Sequence, residues 1–174
     1  MPAQRTPAEL DERVAVATAA QMQDLGRRLA RLLRAGDLVV LSGPLGAGKT
    51  TLAQGIGSGL GVRGQVTSPT FVIARVHPTL STGPDLVHAD AYRLGSRAEV
   101  DDLDLDADLG TAVTVVEWGE GLVEDLADSF LTVTIETSGA PVSTEEAAEG
   151  PRTVRIHGRG ERWQGTDWPI MAAD

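Results

Sequence analysis

Cysteine is absent from the 174-residue chain. That removes disulfides, thiol catalysis and every cysteine-ligated zinc or iron–sulfur site. Long apolar runs are also missing: no window approaches the roughly 18 residues a membrane span needs. The opening Met1-Pro2-Ala3-Gln4-Arg5-Thr6-Pro7 has no apolar core of a secretory signal. Basic residues are few, 15 against 25 acidic, for a net charge of −10. Unaided binding of RNA or DNA is therefore disfavoured, because neutralising phosphates needs basic surface. Hydrophobic residues at 41% and charged residues at 23% fit neither disorder nor a membrane protein. A chain of this length folds as one domain and buries roughly 70% of its unfolded surface. The expectation is a soluble, cytoplasmic protein with an N-terminal tail over 1–11, one domain over 12–158 and a C-terminal tail over 159–174.

Lysine is nearly absent as well. Of the 15 basic side chains, Lys49 is the single lysine and the rest are arginine. In a chain that uses arginine wherever either cation serves, the remaining lysine does something a planar guanidinium cannot.

The periodicities predict an α/β architecture. Arg13–Ala17 alternates like a short edge strand. Thr18 fits a helix N-cap ahead of Met22, Leu25, Leu29, Leu32 and Leu33 at helical spacing, with Gly36 as a C-terminal glycine. Leu38–Leu41 is a continuous apolar run of the kind buried inside a parallel sheet. The segment Gly43–Gly48 reads as a loop, and a helix follows from Lys49 to about Leu60. Glycines 55, 57 and 59 lower that helix's propensity by about 1 kcal/mol each relative to alanine, which close packing explains. Strands are expected at Thr70–Val76, Asp85–Ala89 and Ala112–Val116, with a helix over Ser96–Leu109. Leu131–Ile135 and Arg152–Ile156 alternate with period two and pair as an antiparallel hairpin around a flexible 138–150 loop. The sum is a mixed central sheet with flanking helices.

Gly43-Pro44-Leu45-Gly46-Ala47-Gly48-Lys49-Thr50 matches G-x-x-x-x-G-K-[ST] residue for residue, between a buried-type strand and a helix. Its glycines let backbone N–H groups turn inward on an anion, and the helix N-terminus adds positive field. In such loops the lysine reaches the β- and γ-phosphates and the hydroxyl ligates Mg²⁺. GTPases of this class use Asn-Lys-x-Asp to read the base. With Lys49 the sole lysine that motif cannot exist, so ATP is the expected nucleotide. Hydrolysis also needs carboxylates at neighbouring strand ends. Glu117 follows Ala112–Val116 and Asp90 follows Leu86–Ala89. The run Asp101–Asp108 fails as a calcium loop, with Ala107 where glycine belongs and Val113 where glutamate belongs. It reads as a solvated acidic face, and His88 as a packed or capping residue.

Four motifs together, the loop through Thr51, then Ser68-Pro69-Thr70-Phe71, His88-Ala89-Asp90-Ala91-Tyr92-Arg93-Leu94 and Val116-Glu117-Trp118, resemble the TsaE family. That family is the ATPase of bacterial tRNA threonylcarbamoyladenosine synthesis, and the resemblance spans about residues 12–157. It implies a P-loop NTPase-like fold that binds ATP and Mg²⁺ and hydrolyses ATP slowly. It also implies docking on TsaB-like and TsaD-like partner proteins, with tRNA met only indirectly and no DNA or membrane. Carried over by position, Lys49, Asp90 and Glu117 are the catalytic set, and Thr50 and Glu117 the metal ligands. Gly43, Leu45, Gly46, Ala47, Gly48, Lys49, Thr50 and Thr51 form the nucleotide loop. Thr70 sits in a switch-like segment, Trp118 and Tyr92 lie near the site or in the core, and Thr18 and Arg152 approach the nucleotide. Pro44 stands where the family often has an acidic residue.

Two other readings compete. A small-molecule kinase shares the loop and would need arginines 152, 155, 159 and 162 as a lid. A nucleotide-gated binding module shares every site residue but treats turnover as incidental.

Overall fold

The computed structural model describes residues 10–67, 74–92, 94, 96–102, 104–105, 109–137 and 151–165. Seven strands form one mixed sheet: β1 (Asp11–Val16), β2 (Leu38–Ser42), β3 (Ala74–His77), β4 (Asp85–Asp90), β5 (Ala112–Glu117), β6 (Phe130–Thr137) and β7 (Arg152–Arg159). Their spatial order is β1-β7-β6-β2-β5-β4-β3. The four central strands β6, β2, β5 and β4 run parallel, while β3, β7 and β1 are antiparallel to their neighbours. The mixed sheet expected from the sequence is present, including the C-terminal hairpin, where Val133 faces Ile156 and Ile135 faces Val154. All five residues of β2 and all six of β5 are buried, as strands covered on both faces require.

Two helices cover one face, α1 (Ala19–Ala30) and α2 (Lys49–Leu60). Their apolar residues Met22, Leu25, Leu29, Leu52 and Ile56 join Leu41, Val113, Val115, Leu131 and Ile156 in one core. The opposite face carries Leu38, Val40, Val87, Val116, Val100, Leu109 and Val123. The short helix α3 (Arg97–Asp101) and the segment after β5 supply its cover.

Thr18 caps α1 as expected, its hydroxyl accepting the Gln21 N–H at 3.1 Å. The helix stops earlier than the leucine spacing implies. After Ala30 the N–H groups of Leu32 and Leu33 both return to the Leu29 carbonyl, tightening the last turn. Gly36 therefore does not cap the helix. With φ +97° it turns the chain into β2 and donates to the Ala112 carbonyl. Of the helix expected over Ser96–Leu109, the described residues show an α-helix from Arg97 to Asp101. Ser96 caps it by accepting the Glu99 N–H, but Asp104 turns left-handed at φ +53°. Aspartates compete with the helical backbone for hydrogen bonds, and several in a row also repel one another. The strand expected over Thr70–Val76 is seen from Ala74 to His77, and its start lies outside the described residues.

The region expected as a tail from residue 159 is packed through the helical turn Glu161–Trp163. Trp163 is buried in the core, and Arg162 clasps Asp37 with both guanidinium donors at 3.1 and 3.2 Å while also donating to the Leu32 carbonyl. No helix among the described residues is long and apolar enough to cross a membrane.

The α2 glycines have a packing cause. A Cβ on Gly59 would lie 2.6 Å from Ala30 Cβ, and one on Gly55 would overlap the Gln23 carbonyl oxygen. From the other side, a Cβ on Gly26 would lie 2.5 Å from the Leu52 carbonyl oxygen. The helices cross backbone to backbone. Gly55→Ala, which stabilises an exposed helix by about 1 kcal/mol, is expected here to cost about 1–3 kcal/mol through overpacking. Urea unfolding checks this, and an unchanged or raised midpoint contradicts the packing.

Candidate functional site

Strand β2 delivers the chain to Gly43 at the C-terminal edge of the parallel strands, where the loop Gly43–Gly48 turns it into α2. Gly46 and Gly48 take φ +76° and +109°, which side chains with a Cβ rarely adopt. Gly48 caps α2 with no side-chain bond, so the first N–H groups of the helix keep their capacity for an anion.

Lys49 opens α2 and bends back over the loop. Its Nζ donates to the Gly43 and Pro44 carbonyls at 2.7 and 2.9 Å and lies 4.0 Å from the centre of the Trp118 ring. Burial pushes its pKa below the ordinary 10.5, opposed by the negative charges of Glu117 and Asp90. The ammonium is thus a desolvated cation held on weak acceptors, which phosphate oxygens outmatch as partners. Trp118 sits over it in a left-handed backbone conformation, φ +60°, and leans on Tyr92 with ring centres 5.0 Å apart.

Glu117 ends β5, almost fully buried. Its Oε1 accepts from the Thr50 hydroxyl at 3.1 Å, and its Oε2 lies 2.6 Å from His88 Nε2. Asp90 ends β4 directly opposite Glu117 in the sheet register and accepts the Tyr92 N–H at 2.9 Å. On the other side of the loop, Thr18, Met22, Gly46, Ala47, Gly48, Thr51 and Arg152 line a cavity of about 110 Å³. Arg152 reaches the loop there by donating to the Gly46 carbonyl at 3.2 Å.

The donor set suits Mg²⁺. A threonine hydroxyl and one carboxylate oxygen are hard oxygen ligands, and Mg²⁺ is ordinarily held by one or two protein groups plus phosphates and water. Among the described residues no cluster of three or more His, Cys, Asp or Glu side chains could enclose a metal by itself. Mg²⁺ sites with so few protein ligands ordinarily take the rest from phosphates and water.

Residues 16–145 match the family model described as "Threonylcarbamoyl adenosine biosynthesis protein TsaE". The chain belongs to the TsaE family. A Streptomyces coelicolor protein named tRNA threonylcarbamoyladenosine biosynthesis protein TsaE is 59% identical over 152 residues, covering 87% of this chain and 99% of that one. The like-named Mycobacterium tuberculosis protein is 56% identical over 119 residues, covering 64% and 71%. The Bacillus subtilis one is 37% identical over 117 residues, covering 66% and 71%. The crystal structure of Bacillus subtilis YdiB superposes with a TM-score of 0.65 at 24% identity, over 91% of this chain and 92% of that one, and shows the same fold.

In this TsaE-family chain the residues singled out from sequence largely converge. Lys49, Thr50, Glu117, Asp90 and Trp118 meet at one strand edge, and Thr18, Thr51 and Arg152 meet in the adjoining cavity. Leu45 stands apart as an exposed side chain at the crest of the loop and does not line the cavity. Thr70 and Arg93 lie outside the described residues. Two contacts went unread in the sequence. Glu120 accepts the Ser42 hydroxyl at 3.2 Å beside the start of the loop. His88 is packed, as expected, but it also bonds Glu117, and its place two residues before Asp90 on a strand puts both on one face.

Desolvated Lys49 gives a pH prediction. Its folded pKa is lowered, so between that value and 10.5 the unfolded chain binds more protons than the folded one, and stability rises with pH. The penalty is fully present below the folded pKa. Thermal unfolding of wild type against Lys49→Met, stepped from neutral pH towards 10.5, is expected to show wild type gaining relative to the variant. A relative loss contradicts the burial of the charge.

Proposed function

We propose that the chain binds ATP with Mg²⁺ on the Gly43–Thr51 loop, hydrolyses it slowly, and thereby acts as a nucleotide switch in the tRNA threonylcarbamoyladenosine pathway of its family. The observation that carries the reading is the convergence of Lys49, Thr50, Glu117 and Asp90 on one edge of the parallel strands, beside the cavity at the α1 N-terminus. Lys49 exchanges its two carbonyl partners for phosphate oxygens. Thr50 and Glu117 hold Mg²⁺, which supplies neutralisation of the phosphate charge. Asp90, a half-buried carboxylate opposite Glu117, orients the attacking water. Thr18, Thr51 and Arg152 accept the rest of the nucleotide in the cavity.

The switch acts through protein. At a net charge of −10 the chain has little electrostatic reason to grip tRNA; the partners that the family resemblance implies are TsaB-like and TsaD-like proteins, which meet the RNA themselves. Loss of the γ-phosphate releases segments it had ordered, which changes the surface offered to those partners.

Two of the four arginines a kinase lid would need are committed away from the loop, and a third lies in strand β7 against it. Arg155 pairs with Asp11 at 2.9 Å, Arg162 with Asp37, and Arg152 with the loop itself. No observation on the site favours the kinase reading.

Phosphate release by the purified chain, with and without the two partner proteins, tests the proposal. Lys49→Ala is expected to weaken ATP binding by about 10–100-fold, the worth of a buried charge-assisted bond. Asp90→Asn is expected to slow hydrolysis by about 100-fold or more while leaving ATP binding nearly intact, as loss of a water-positioning base does. ATP binding without turnover in any mixture would replace the switch with a binding module.

A further inference from the structure

His88 lies within β4, between Val87 and Ala89, which belong to the core on the α3 side of the sheet. Strand alternation turns His88 to the opposite face with Leu86 and Asp90, beneath α2. The ring is fully buried, and so, to within a few per cent, is the Glu117 side chain it meets. An apolar side chain would fill that volume without the cost of desolvating an imidazole. The 2.6 Å contact from Nε2 to Glu117 Oε2 is what the imidazole adds. The carboxylate accepts there, so Nε2 carries the hydrogen. Nδ1 has no hydrogen-bond partner among the described residues, so the ring's polar contact there is the one to Glu117.

This bond divides the labour of the Glu117 carboxylate. Oε2 is engaged by His88 at 2.6 Å, and the Thr50 hydroxyl lies nearer Oε1, at 3.1 Å, than Oε2, at 3.4 Å. A carboxylate held at Oε2 by a buried ring nitrogen turns less freely about its last bond, which keeps Oε1 the oxygen nearer the threonine.

We propose that His88 is the positioning residue of the metal site, holding Glu117 so that Oε1 and Thr50 Oγ1 face the same Mg²⁺. The inference rests on the nucleotide reading above. His88 touches neither metal nor nucleotide; it acts through the carboxylate, in the manner of the outer-shell groups that hold metal ligands in place.

The test reads binding and does not use turnover. ATP binding to the full chain is titrated calorimetrically with chelator present, and then with Mg²⁺ added stepwise. Three variants separate the contact from simple packing. His88→Leu fills the space without a donor, His88→Asn carries an amide too short to reach Glu117, and His88→Gln places an amide nitrogen close to where Nε2 stands. His88→Leu and His88→Asn are expected to raise the half-saturating Mg²⁺ concentration by about 10–100-fold, with metal-free ATP affinity unchanged. His88→Gln is expected to recover most of that loss. If His88→Leu does not fold, the comparison of Asn with Gln decides. Variants that keep the wild-type Mg²⁺ midpoint, whatever their melting temperatures, overturn the positioning role and leave the ATP reading standing. Wild-type ATP binding that ignores Mg²⁺ also overturns the positioning role, and a wild-type chain that binds no ATP with chelator or with Mg²⁺ overturns both.

Discussion

A single ammonium and a buried carboxylate share the C-terminal edge of the central strands, and most of the surrounding structure follows from holding both there. Lys49 loses hydration to enter this position, as the downward shift of its pKa records, and it recovers part of the cost from the Gly43 and Pro44 carbonyls and the face of Trp118. Glu117 is compensated by Thr50 and His88. An unpaired buried charge would cost several kcal/mol, so each of these contacts is a condition for the others. The left-handed turn at Trp118 belongs to the same arrangement. It sends the chain from β5 across the end of β2, where the Trp118 N–H donates to the Leu41 carbonyl, and sets the indole over the ammonium.

The geometry of the edge depends on packing far from it. The register Leu41 to Glu117 between β2 and β5, and Asp90 to Glu117 between β4 and β5, aligns the ends of three strands. Behind the loop, the glycines of α1 and α2 let the two helices touch backbone to backbone. That brings the N-terminus of α1, with Thr18, alongside the start of α2. The cavity between Thr18, Gly48 and Arg152 is a consequence of this close crossing. A propensity scale counts those glycines as defects, whereas in three dimensions they bring the two halves of the site together.

Much of this was legible in the sequence because the signals are local. The loop motif names its own residues, strand ends locate Glu117 and Asp90, and period-two alternation announces the β6–β7 hairpin. What escaped was decided by tertiary contact. The spacing of Leu32 and Leu33 continues a helical pattern that the chain abandons at Ala30, because Gly36 must turn it into β2. The aspartates after Val100 look helical in pattern, but their side chains and charges work against a longer helix. Trp163 looked like part of a tail, since nothing in its neighbours foretells that Arg162 would reach Asp37 and draw the segment onto the core. His88 needed only one further step, the alternation that puts it on the same face as Asp90.

The central claim is that this edge is built to receive a magnesium nucleotide with adenine as its base. Calorimetric titration of the wild-type chain with ATP and with GTP, each in the presence of Mg²⁺, tests it most directly. The account predicts saturable ATP binding that is tighter than GTP binding. Heat of binding for neither nucleotide, or a clear preference for GTP, would contradict it.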